Sequence, residues 1–182
     1  MLIDVHTHLG PWPFALLTEG DAPALRAHLR KHGIDRALVS HLGAVLAPDP
    51  APANRALLAA ARRIPALVPV PVINPALANW REELAACCAA APVPVPAVKI
   101  FPNYHGYSLA SASVAGLVGA LRERGLRLVI QVRLEDERHR YYALRIKGVP
   151  VPQLAAWLKK FPEVHPLLLG LYLPELRELA RS

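Results

Sequence analysis

Apolar positions along this chain follow two rhythms in turn: short unbroken apolar runs, then segments in which apolar residues recur every three or four positions. The first run is Leu2 to His6, and Ala24 to His32 is the first segment with helical spacing. Gly33 then stands at a helix stop, followed at once by the β-rich run Ile34 to Ser40. The same device returns later, where Val114 to Arg124 reads as helix, Gly125 as stop and Leu126 to Val132 as strand. Between these lie a helix at Ala53–Arg63, a strand at Leu67–Ile73, a helix at Asn79–Ala91 and a strand at Ala97–Phe101. After them come a helix at Pro152–Phe161, a strand at Pro166–Gly170 and a helix from Pro174. Strand starts roughly 30 residues apart match the length of one βα unit. Apolar strands alternating with amphipathic helices predict a parallel sheet covered by helices.

One stretch strains this pattern. Val68-Pro69-Val70-Pro71-Val72 places two prolines inside a strand, and proline cannot donate to a ladder. Residues two apart aim their N–H groups the same way, so the loss is expected on one side of the strand only. The second Pro-Val run, Pro92 to Pro96, precedes its strand and reads as an extended connector.

Six βα units are counted. A complete (β/α) barrel has eight and typically about 250 residues. The expectation is therefore a single domain over 1–182, a TIM-like (β/α) barrel incomplete at its C-terminus, read as part of a longer frame. An open doubly wound sheet is the alternative.

Composition narrows the function. At 53% hydrophobic and 19% charged, 182 residues can bury one sizeable core. Mean hydropathy is positive, +0.25, yet Pro, Arg, Asp or His interrupts every apolar run short of the roughly 18 residues a spanning helix needs. Asp4, His6 and His8 fall where a signal peptide would be apolar, so the reading is cytoplasmic, with no membrane partner. The net charge of +7 comes mostly from Arg interleaved with Glu, and aromatic residues are only 6%. That describes a solvated surface better than a nucleic-acid platform. Cys87 and Cys88 are adjacent and form no Cys-x-x-Cys, so they read as reduced thiols packed like small apolar residues.

The strongest local signal is Asp4-Val5-His6-Thr7-His8. Strand alternation sends residues 4, 6 and 8 to one face. If that face is the barrel interior, both imidazoles converge at the C-terminal mouth, where such barrels hold their active sites. Two neutral imidazoles suit a divalent ion, zinc above all, which would lower the pKa of a bound water to about 7. Two histidines hydrogen-bonded at a strand end are the plainer alternative.

Ile3-Asp4-Val5-His6-Thr7-His8-Leu9-Gly10 resembles the first-strand signature of the amidohydrolase superfamily, in its amidohydrolase-related, metal-dependent hydrolase branch. Ala97 to Pro102 resembles that branch's fourth strand, and Val72-Ile73-Asn74-Pro75 its third-strand end. TatD-like deoxyribonucleases share the opening motif but have a Gly-Glu pair near strand four that this chain lacks. The resemblance implies a metal-dependent hydrolase acting on a small, carboxylated molecule, with His6 and His8 as metal ligands. It then breaks. The strand-five position for a ligand histidine reads Ile130-Gln131-Val132-Arg133, strand six ends Leu169-Gly170-Leu171-Tyr172, and the strand-eight aspartate is expected beyond the C-terminus or is absent. A metal-independent lactonase or decarboxylase of the same fold, or a non-catalytic relative, is the competing expectation.

Two charged residues join the candidate site as catalytic groups. Lys99 sits mid-strand between Val98 and Ile100, where burial is costly unless it faces the mouth and holds a substrate anion. Arg133 can bind a carboxylate bidentately, or neutralise Glu135 or Asp136 within its own loop. Glu135, Asp136, Glu137 and His139 are candidate replacement ligands. Trp12, Tyr104 and His105 are assigned to substrate binding from their loops, with Phe14 beside Trp12. His28, His32, His41 and His165 are given no role. Self-association through open sheet edges is a further expectation.

Overall fold

The computed structural model describes residues 1–136 and 145–182. Glu137 and His139, two of the candidate replacement ligands, lie outside the described residues.

The elements run β1 (Ile3–Leu9), α1 (Ala22–Lys31), β2 (Arg36–His41), α2 (Gly43–Leu46), α3 (Ala51–Arg63), β3 (Leu67–Pro69) and α4 (Trp80–Ala90). They continue with β4 (Ala97–Ile100), α5 (Ala112–Glu123), β5 (Arg127–Gln131), α6 (Val151–Lys160), β6 (Leu167–Leu169) and α7 (Leu173–Arg181). Local chemistry sets these bounds. Asp21 caps α1 by accepting from Ala24 N at 2.7 Å, and Ser111 caps α5. Beyond α1 and α5 the chain turns at Gly33 and Gly125. There Ile34 N donates to Leu29 O, and Leu126 N to Leu121 O, each at 2.9 Å, satisfying a helix-end carbonyl. The short α2 had no sequence signal, being less than one periodic repeat long.

All strand pairs are parallel, in the orders β1-β2-β3 and β4-β5-β6. Among the described residues a single bridge, Val72 to Lys99, joins the two halves. The prolines explain the seam. Val70 N donates toward β2, to Val39 O at 2.8 Å, so residues 69, 71 and 73 face β4. Pro69 and Pro71 have no N–H to give there, and only Pro71 O and Ile73 N bond to Lys99. The strand expected over Leu67–Ile73 therefore ends at Pro69, and its last residues cross to β4. The result is a partial barrel, not a closed one.

The core is layered. Outside the first half, Leu9, Ala37, Val39 and Leu67 pack under α1 and α3 with Leu25, Leu29 and Leu57. The largest cluster lies outside the second half, with Val98, Ile100, Leu128 and Ile130 against Trp80, Leu117 and Trp157. Inside, Val70, Ala97 and Val129 form an apolar floor with Leu38 and Leu169. No helix among the described residues is long and apolar enough to cross a membrane.

Candidate active site at the carboxyl ends of the strands

β1 reaches Leu9, three residues further than its expected end, and this carries His8 within the strand. Between Asp4 and Thr7 the register with β2 slips: Asp4 pairs with Ala37, Thr7 with Val39 and His8 with Ser40. β1 thus spends one extra residue, a bulge. The Asp4 carboxylate holds it by accepting from His6 N at 2.8 Å. The expectation that Asp4 shares a face with His8 is corrected here. The register places Asp4 level with Ala37, on the helix-covered side, because a single inserted residue inverts the alternation.

His6 and His8 do converge. Their rings meet edge to face with centroids 4.9 Å apart. Lys99, brought from β4, places Nζ 3.3 Å from His8 Nε2. Gln131, at the end of β5, is fully buried beside His6. Its Nε2 donates to Arg133 O at 2.7 Å, and its side chain also engages the His6 ring. Ser40, next to His8 in the register, has a buried hydroxyl with no partner. A polar layer therefore rests on the apolar floor. Leu42, Val72 and Phe101 pack with Trp12 above it.

Desolvation governs the charges. Lys99 is 3% exposed, and burial lowers its pKa to about 7. Its neighbours are the His8 ring nitrogen and the Phe101 ring, whose centroid lies 5.9 Å from Nζ. Burial, then the Lys99 charge, then His6, push His8 down to about 2, so it is neutral at any ordinary pH. His6 is lowered for the same first two reasons, partly offset by Gln131 and Asp4.

A pocket of about 320 Å³ opens at this mouth, lined by His6, His8, Trp12, Leu42, Leu134 and Glu135 among others. Trp12 Nε1 donates to Glu135 Oε1 at 2.6 Å, clasping the loop after β1 to the loop after β5. Trp12 lines this pocket, and Glu135 is a wall residue tied to its indole. Tyr104 and His105 do not line this pocket. Tyr104 packs edge to face on Phe101, and the His105 ring nitrogen Nε2 lies 2.9 Å from Ala44 O.

Arg133 is paired outside its own loop. Its two terminal nitrogens fork onto Glu175 at 2.8 Å each, one also donates to Gly170 O, and the guanidinium stacks 4.0 Å from the Tyr172 ring centre. Glu135 and Asp136 are not its partners in these bonds; the carboxylate comes from α7, which no local sequence pattern announces. Gln131 was the residue that sequence reasoning passed over. Its signal was position, since it stands on β5 where the resemblance leads one to look for an imidazole.

The described residues alone do not complete a divalent-metal site. No group of three or more His, Cys, Asp or Glu able to hold an ion occurs among the described residues. The His8 nitrogen that faces the site is engaged by an ammonium. An ion at the usual distance of about 2.1 Å from Nε2 would sit roughly 1 Å from Nζ along that line.

No family model matches the chain, and no curated protein is similar to it. Solved structures do match. One is a mutant of 5-carboxyvanillate decarboxylase from Novosphingobium aromaticivorans with bound manganese and 3-methoxy-4-hydroxy-5-nitrobenzoic acid. It has 17% identity and a TM-score of 0.59, over 79% of this chain and 48% of that one. Another is an amidohydrolase II, with 14% identity and a TM-score of 0.61, over 91% of this chain and 65% of that one. Both are amidohydrolase-superfamily proteins, and this chain shares their TIM-barrel-like fold. It spans less than two thirds of either one's length.

Proposed function

We propose that this chain is the catalytic part of an amidohydrolase-superfamily enzyme acting on a small, carboxylated molecule at the mouth formed by His6, His8 and Lys99. The carrying observation is the buried Lys99, which has no carboxylate among its partners in the described residues. Its Nζ lies 3.3 Å from His8, which lines the pocket, so its charged form favours an anionic substrate there. The fold supports an enzyme, since barrels of this kind hold their chemistry where these residues meet.

Hydrolysis of an ester or lactone is the reaction the groups serve best. His6, neutral and exposed at the pocket wall, accepts a proton as water adds to the carbonyl carbon. Collapse of the tetrahedral adduct breaks the carbon–oxygen bond, and the leaving alkoxide takes the proton back from His6. Aryl esters and lactones bearing a carboxylate, assayed against their uncharged methyl-ester counterparts, test this reading. Turnover of the charged set, lost in His6→Ala, is the expected result. Equal inactivity of wild type on both sets would refute it. Decarboxylation is the second reading, favoured by the likeness to 5-carboxyvanillate decarboxylase. Release of carbon dioxide from carboxylated phenols would identify it.

A further inference from the structure

Two observations meet at His8. Its Nε2 is 3.3 Å from an ammonium, and the strand-five position that would bring another imidazole carries Gln131, whose amide nitrogen is committed to Arg133 O. We infer that the His6–His8 pair is the seat of an internal cation, Lys99, and that this mouth binds a carboxylate anion and rejects divalent metal. The inference deepens the function proposed above and rests on its assignment of the pocket.

The argument is one of donors and charge. An ammonium has three N–H donors and no acceptor. One donor is accounted for by His8, whose lone pair is thereby unavailable to an ion. The other two have no acceptor among the described residues. Ser40 Oγ, buried at the register position beside His8, is an additional uncommitted donor. A carboxylate reaching this layer would find an ammonium and a hydroxyl, while a metal would find a like charge within van der Waals distance. A buried charge lacking a counter-ion is costly, so an anionic ligand relieves a cost that a cation would increase. Lys99 adjoins the pocket through its partner His8, which lines it.

The test uses the full 182-residue chain with three probes: zinc, manganese and benzoate, each titrated calorimetrically. Wild type should take up neither metal stoichiometrically and should bind benzoate. Lys99→Met should lose at least about tenfold in benzoate affinity, the scale of one charge-assisted hydrogen bond, whereas Lys99→Arg should retain it. Lys99→Glu, which removes the ammonium and adds a carboxylate to two imidazoles, should gain zinc binding. Should the Met or Glu variant not fold, Lys99→Arg and the wild-type metal titration decide alone. One equivalent of zinc or manganese bound tightly by wild type overturns the inference and leaves a carboxylate-directed enzyme standing. Benzoate binding unchanged in Lys99→Met likewise overturns it. Absence of both benzoate binding and turnover in wild type defeats the proposed function itself.

Discussion

At the scale of single residues, the site is set by desolvation. His8 is held neutral in the fold down to about pH 2, whereas in an unfolded chain it titrates near 6.5. The unfolded state therefore binds more protons between those values, and stability falls as pH drops below about 6.5. The slope cannot exceed about 1.4 kcal/mol per pH unit for one such group. Thermal midpoints measured from pH 7 to pH 4 should decline less steeply in His8→Gln than in wild type; parallel curves would show that His8 is not the group responsible. Lys99 titrates in the opposite functional direction. With its pKa lowered to about 7 by burial, it loses charge as pH rises through that value, so benzoate binding should weaken from pH 7 to 9. In Lys99→Arg the same titration should stay flat, because guanidinium does not deprotonate there.

Between elements, the fixed point is the Arg133 clamp. α7 buries none of its residues, and Leu173 and Leu176 are 59% and 51% exposed. Leu179 packs partly buried against the main core, and the first turn is held by polar bonds: Glu175 accepts from both Arg133 nitrogens and from the Tyr172 amide. Glu175→Ala would take the carboxylate away from a nearly buried guanidinium, at a cost of about 2–3 kcal/mol. Hydrogen exchange across 173–181 should rise before the rest of the chain is affected; uniform destabilisation would contradict a local clamp. Gly170 belongs to the same junction. It has φ +80, and a Cβ there would run into the Arg133 backbone carbonyl, so Gly170→Ala should be more damaging than Glu175→Ala. Urea midpoints of the two variants give the ranking directly.

For the molecule as a whole, the exposed flank matters. Among the described residues β1 and β6 each pair on one side only, and Ile3 and Val5 on β1 are 41% and 51% exposed. Unpaired, apolar strand edges recruit other strands. The 182-residue chain should self-associate with rising concentration, and Val5→Lys should shift it toward monomer in sedimentation velocity. A monomer at all concentrations would show that the edge is inert.

How far the sequence reaches depends on the range of the interactions concerned. Strand and helix order, the glycine stops and the seam at Pro69 and Pro71 were legible because period, capping and a missing N–H act within a few residues. So was the meeting of His6 and His8, two positions apart on one strand. The outward turn of Asp4 was not, because a bulge depends on how β1 registers against β2, 33 residues away in sequence. Nor was the pairing of Arg133 with Glu175, separated by 42 residues, or the ammonium of Lys99 against His8, separated by 91. Composition supplied the charges, and parity aimed most of them. Which charge found a partner, and which was left facing the pocket, was decided by tertiary packing, since burial alone makes an unpaired charge expensive enough to choose among arrangements.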